Sequence, residues 1–553
     1  MTNLRSRVGR RTGRPRGILL VAGLAAGALA LTACTPQAAP KASAPDWELT
    51  AQTAAPSGDI DSFTWANYGE PYSLDYAYAF DYADNMVLSN VCESLLRLNP
   101  DYTLTPGLAE SFEQTSPTTW VYQIRDGVTF HDGTPLTAAD VVASMSRHID
   151  PAVGSSWFSV YQNVTSIEQT GDREVTVTTA IPDSQFNQGM GGSAGVVESA
   201  ATLAEKGADY GNSTGLVNCT GPFELTEWKS GESITLTRFD DYWDESLKAK
   251  SGEVRFVFMN DANARINALK SGDVDGSWML PTDGIAQLQA SGAGDVYFGL
   301  STATSNLIVS DTDGPLSDPR VRQALMMALD REGILEAAAR GYGSVSNALT
   351  TESVWGEASE QTRTDAFAGL EEYPHDLEAA KQLVEDAGAT GEKIVFATAP
   401  ISNDFTVVSQ ATVAAAQSIG LDAEIKTVTP NAYTALFSDP SAREGVDLFY
   451  TVWYLSSPDP LEMYAVLRTG EFSNYGEWSD PEFDRITNEA VGTADPDARA
   501  KLTGELQHIA NEQLPWLPLY TSPMPVFVGE RITGVAPSIA FLYYPWAATI
   551  GAR

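Results

Sequence analysis

Cysteine and histidine are scarce in this chain: three and four among 553 residues. The histidines, His131, His148, His375 and His508, lie far apart with no ligand spacing, and only two cysteines remain beyond Cys34. No structural zinc, and no other metal or cofactor, is expected. Basic residues are also few. Lysine and arginine total 34 against 72 acids, a formal net charge of −38. Such a surface repels nucleic acid and anionic headgroups. Beyond residue 33 no apolar run reaches the roughly 20 residues that span a bilayer. There is no internal repeat of the kind a scaffold or adhesin would show. There is no His-Glu-x-x-His motif, and no Gly-x-Ser-x-Gly elbow stands on a strand-to-helix turn. Acids abound, but none is set in a frame that marks a glycosidase. No catalytic residue can be named, and a secreted hydrolase is a less favoured alternative.

What the chain does have begins at its N-terminus. Arg5, Arg7, Arg10, Arg11, Arg14 and Arg16 precede an apolar run over 18–33. A basic start, a short apolar stretch and small residues at its end describe an export signal. Without those arginines the remainder is six charges more negative. Leu31-Thr32-Ala33-Cys34 resembles the lipobox of bacterial lipoproteins, which implies cleavage before Cys34 and acylation of its thiol. The plainer alternative is an ordinary signal with an incidental cysteine. Arg10-Arg11 hints at twin-arginine export, although the residues after it fit poorly. Residues 34–58, rich in Ala, Pro, Ser and Thr, cannot build a core and read as a flexible tether. The expected location is the outer face of the cytoplasmic membrane, held by lipid alone. Cys92 and Cys219 remain in the mature chain. Two cysteines in an exported protein are more often a disulfide than a metal site.

The mature chain, about 520 residues, is long enough for two or three lobes. It alternates strand and helix patterns, which predicts an α/β protein. Trp120-Val-Tyr-Gln-Ile-Arg125, Asp126-Gly127 and Val128-Thr-Phe130 predict a tight hairpin. His131-Asp132-Gly133 reads as a surface turn. Thr137 and Asp140 form a capping box that opens a helix through Val141, Val142 and Met145. Asp318-Pro319 starts another, with Val321, Ala324, Leu325, Ala328 and Leu329 on its buried face. Residues 393–398, 405–419 and 421–428 predict a βαβ unit, and 447–453 a further buried strand.

Four ordered motifs resemble the family 5 extracellular solute-binding proteins, the peptide, dipeptide and nickel receptors of ABC importers. The first is Leu108-Ala-Glu-Ser-Phe112 through Trp120 and Arg125-Asp-Gly-Val-Thr-Phe-His-Asp-Gly-Thr-Pro-Leu-Thr-Ala-Ala-Asp-Val-Val142. Thr220-Gly-Pro-Phe223 with Arg238-Phe-Asp-Asp-Tyr-Trp243 is the second, and Ala268-Leu-Lys-Ser-Gly-Asp-Val-Asp275 the third. Asp318-Pro-Arg-Val-Arg-Gln-Ala-Leu325 to Asp330-Arg331 is the fourth. Gly133, Gly221 and Gly272 within them suit turns that need positive φ. The resemblance implies a two-lobed periplasmic-binding-protein type II fold, cluster C, joined by a two-strand hinge. Lobe I would comprise 59–100, 215–303 and 517–553, with a subdomain inserted at 101–214. Lobe II would be 304–516. The resemblance also puts Cys92 and Cys219 in lobe I, where a disulfide would staple its separated pieces. A monomer that captures a small solute and passes it to permease subunits is implied.

The same resemblance places the ligand between the lobes, near Trp453-Tyr-Leu-Ser-Ser-Pro-Asp-Pro460. Ligands of open α/β lobes bind beyond the carboxyl ends of strands. In peptide receptors of the family this loop resembles Trp-x-Ala-Asp-Tyr-x-Asp-Pro, and its first Asp pairs with the peptide ammonium. Here Ser456 takes that place. Asp459 is the next acid along the loop, but Asp459-Pro460-Leu461-Glu462 reads as a helix start with a capping box. Ser456 with aromatic faces would also suit an oligosaccharide, and nickel chelates less well. Trp453, Tyr454, Ser456, Tyr72, Trp278 and Asn306 are the candidate ligand contacts.

Overall fold

The computed structural model describes residues 47–311 and 314–553. The signal, Cys34 and residues 35–46 lie outside the described residues. Residues 47–58 are not free tether. Thr50 N–H donates to Phe298 O at 2.7 Å, and Thr53 N–H to Val535 O at 2.9 Å. Trp47 packs on Phe298 with ring centroids 5.9 Å apart. Composition underrates this stretch because its main chain makes most of the attachment.

Three sheets carry the fold. The first has seven strands in the order Gly294–Gly299, Met524–Gly529, Gly276–Trp278, Ile60–Asn67, Ser251–Phe258, Ser233–Arg238, Phe223–Lys229. Phe63 and Trp65 of Ile60–Asn67 enter a core shared with the C-terminal segment, while Ala66 faces a second core on the other side. The second sheet has six strands: Ser344–Val345, Trp516–Thr521, Thr304–Val309, Leu448–Trp453, Lys393–Thr398, Asp422–Thr427. Every residue of Thr304–Val309 is buried. Leu307 and Val309 enter one core and Ile308 another, so both faces are covered. Lys393–Thr398 and Asp422–Thr427 pair in parallel, and the helix Asn403–Ser418 crosses between them. The chain passes between these sheets twice, at 300–303 and at 522–523. The return comes later than the 516/517 boundary expected above, because Trp516–Thr521 pairs with Thr304–Val309 in the second sheet.

The third sheet, Ala109–Ser116, Thr119–Ile124, Glu174–Thr179, Val164–Gly171, belongs to an insert with its own core. Here the predicted hairpin fails. Gly127 adopts φ +76° and the turn forms, yet residues 128–130 do not return along Thr119–Ile124. Both edges of that strand are already taken, by Ala109–Ser116 and Glu174–Thr179, and Thr129 bridges Pro135 instead. The capping box is present: Thr137 Oγ1 accepts from Asp140 N–H, and Asp140 accepts from Thr137 N–H.

Cys92 and Cys219 are joined by a disulfide, with Cα atoms 4.9 Å apart across 127 residues of chain. It ties together the places where the chain leaves for the insert and comes back. Around it, Gly221 N–H donates to Val91 O at 2.8 Å and His131 N–H to Cys219 O at 2.9 Å. A Cβ on Gly221 would stand 2.5 Å from Val91 O. Close approach, not positive φ, therefore requires this glycine, whereas Gly133 and Gly272 do adopt φ of +81° and +76°. The His131 ring lies 3.0 Å from Gly221 O through Nε2, and burial lowers its pKa to about 4, so it is neutral and structural at pH 7.

Candidate functional site

A cavity of about 770 Å³ opens between the insert and the body built on the second sheet. The insert contributes Trp157, Phe158 and Gln185; the other wall contributes Trp453, Tyr454, Ser456 and Glu462. The site lies where the strand Leu448–Trp453 runs out. Leu448, Phe449 and Tyr450 are buried in the sheet, and Val452, Trp453 and Tyr454 are accessible. This is the carboxyl end of a strand parallel to Lys393–Thr398, where an open sheet leaves space for a ligand.

The turn after that strand is organised by one carboxylate. Glu462 Oε1 accepts from Ser456 N–H at 2.9 Å and Ser456 Oγ at 3.0 Å. Its Oε2 accepts from Ser457 N–H at 2.8 Å and Ser457 Oγ at 2.6 Å. No lysine or arginine pairs with it among the described residues. Burial raises its pKa, and the four hydrogen bonds oppose that shift. The expected capping box is thus not made. Asp459 Oδ1 accepts from Leu461 N–H at 2.9 Å, but the position that caps the short helix Leu461–Ala465 is Pro460, not Asp459 as expected. Its other oxygen takes Arg499 Nε at 2.5 Å, so Asp459 is buried and neutralised while Glu462 turns back to the loop.

Tyrosines surround this carboxylate. Tyr454 packs on Tyr82 with centroids 5.2 Å apart, and its hydroxyl donates to Phe80 O at 3.3 Å. Burial and then the charge of Glu462 raise the Tyr454 pKa, and both also act on Tyr543.

Three of the six expected contacts, Trp453, Tyr454 and Ser456, line the cavity. The other three do not. Trp278 is 1% exposed and stacks on Phe541 at 4.6 Å within a cluster that includes Trp65 and Trp546. Asn306 sits fully buried in the central strand, its Nδ2 donating to Thr304 O and Oγ1. Tyr72 is 83% exposed and attaches only its main-chain N–H to Asp84. An aromatic or amide near a strand end is as readily core as ligand contact, and local sequence does not separate the two. Glu462, Gln185 and Phe158 were missed. Glu462 was visible only as a helix-capping residue, and the insert gave no motif at 156–185.

The string Gly191-Gly192-Ser193-Ala194-Gly195 matches a nucleophile elbow in letters alone. It folds as a 3₁₀ turn, Ser193–Gly195, with Ser193 Oγ 3.4 Å from Asn85 Oδ1. The rings of His131 and His148 are engaged by Gly221 O and Ser155 Oγ.

Two sheet-built bodies that exchange the chain twice, with a lined cavity beside the strand ends, define a two-lobed solute-binding protein of the type II periplasmic class. The chain belongs to the bacterial extracellular solute-binding proteins, family 5, whose middle-region model matches residues 103–475. It is 24% identical over 483 residues to the glutathione-binding protein GsiB of Escherichia coli K12, covering 85% of this chain and 91% of that one. The oligopeptide-binding protein AppA of Bacillus subtilis, solved with a nonapeptide, superposes with a TM-score of 0.74 at 21% identity, covering 90% of this chain and all of that one. AgaA of A. tumefaciens R10, solved with agropinic acid, gives 0.74 at 24% identity, covering 89% of this chain and 98% of that one.

Proposed function

We propose that this chain is the receptor of an ABC importer. It is exported, held by lipid on Cys34 at the outer face of the cytoplasmic membrane, and captures a peptide-class solute between its lobes. It passes that solute to the permease chemically unchanged. One lobe is built on the first sheet with the insert, the other on the second. The names and ligands of GsiB and AppA support the peptide class.

The observation that carries the peptide reading is Glu462. Ser456 alone favours a neutral ligand such as an oligosaccharide. Glu462 returns a carboxylate to that same residue from six positions downstream, through a 2.9 Å bond to its main chain. A buried carboxylate with no lysine or arginine paired to it among the described residues favours a ligand that brings a cation, and a peptide ammonium does. A sugar offers no such charge.

Thermal unfolding of ligand-stripped protein tests this reading. A ligand at 100 times its Kd stabilises by about 2.7 kcal/mol. Short peptides should raise the midpoint and oligosaccharides should not; the reverse pattern would replace the peptide by a sugar. For the anchor, Cys34→Ala should move the protein from membrane to soluble fraction. An unchanged distribution would return Cys34 to an incidental residue.

A further inference from the structure

Phe158 is 54% exposed, Phe472 66% and Val452 44%. Single apolar side chains at a surface are ordinary. These three line the cavity that also holds Glu462, Phe158 from the insert and the others from the opposite body. The neighbouring rings are already engaged. Trp453 packs against Trp516 at 5.2 Å and Tyr454 against Tyr82. Neither phenylalanine has a ring partner among the described residues.

Both are displayed on pinned backbone. Phe158 follows Trp157, whose Nε1 donates to Tyr76 O at 2.9 Å. It shares one turn of helix with Tyr161, whose hydroxyl donates to Ala194 O at 2.6 Å. Phe472 lies in a loop closed by Asn474, whose Nδ2 donates to the carbonyls of Leu467, Arg468 and Trp478. Large apolar groups held in place but uncovered are preorganised to be covered by a ligand. On the insert's wall, Gln185 contributes to the same cavity, and its buried Nε2 has no acceptor among the described residues, a donor suited to a peptide carbonyl.

We propose that Phe158, Val452 and Phe472 form an apolar subsite that takes a large nonpolar side chain of the bound peptide, making the receptor selective for peptides that carry one. The inference rests on the peptide reading above and adds its specificity.

Titration calorimetry with Ala-Ala-Ala and its three single-phenylalanine variants tests it, on the wild-type protein and on Phe158→Ala/Phe472→Ala. Both positions are exposed, so the double variant should keep the wild-type melting temperature. At least one phenylalanine peptide should bind wild type ten times or more tighter than Ala-Ala-Ala. The double variant should lose that advantage, so that the preferred phenylalanine peptide and Ala-Ala-Ala bind it alike. Equal binding of all four peptides to wild type overturns the subsite and leaves the peptide reading standing. So does a double variant that weakens all four alike or retains the preference. Binding of none overturns the peptide reading and the subsite with it.

Discussion

At position 456 a serine stands where an ammonium-pairing acid would be expected, and the carboxylate comes from Glu462 instead. Both serines of the turn spend their N–H and O–H groups on it. These bonds orient the carboxylate without neutralising it, as a resident arginine would. In the peptide reading proposed above its charged form is the one that pairs with the ligand's ammonium, and burial raises its pKa. Affinity for a peptide should therefore be full above that raised pKa and fall as pH drops through it, beginning above the ordinary glutamate range near 4.3. Glu462→Gln keeps the shape and removes the charge. Breaking one side of a partly buried ion pair costs about 2–5 kcal/mol. Peptide affinity at pH 7 should thus fall by about a hundredfold and lose the dependence on pH that the wild-type carboxylate confers. Calorimetry at stepped pH reads both; a variant that binds as tightly as wild type would release Glu462 from the site.

Elements were readable wherever a local interaction decides the structure. The helix starts at Thr137 and Asp318 depend on side chains within three residues, and both form as expected. The parallel pair around Asn403–Ser418 follows from its own alternation of apolar runs. Elements decided by distant partners were not readable. Residues 128–130 lose their place beside Thr119–Ile124 to Glu174–Thr179, some fifty residues away, and nothing in the turn announces that competitor. Gly221 is required by the carbonyl of Val91, not by its own φ. The candidate site divides the same way. The loop 453–460 was found because the family resemblance places the ligand there and one strand leads directly into it. Phe158 and Gln185 come from an insert whose position depends on packing across the whole molecule, so their part in the cavity could not be read from residues near them.

On the scale of the whole molecule, few direct bonds cross between the walls of the cavity. Gln188 Nε2 of the insert donates to Glu357 Oε2 at 3.1 Å, and Ser184 N–H to Val491 O at 2.9 Å. Elsewhere the two bodies meet at Arg340–Asp283, where both side chains are about half exposed, at Tyr342, whose ring stacks on Phe298 and whose hydroxyl donates to Gln289 Oε1 at 3.2 Å, and at Tyr454, which packs on Tyr82 and donates to Phe80 O at 3.3 Å. An exposed ion pair contributes about 0–1 kcal/mol and a neutral hydrogen bond about 1. Closure without ligand is thus held by a few kcal/mol, a scale that a bound solute can match. Gln188–Glu357 crosses beside the cavity itself, and its acceptor is a carboxylate that Arg499 also approaches, at 3.6 Å. Gln188→Ala removes that bond without touching the cavity lining. Peptide dissociation should then quicken about tenfold while association stays within a factor of two, since the bond exists only after closure. Stopped-flow mixing measures both rates. An unchanged dissociation rate would mean that the ligand alone holds the lobes together, and slower association would mean that the bond shapes the open state as well.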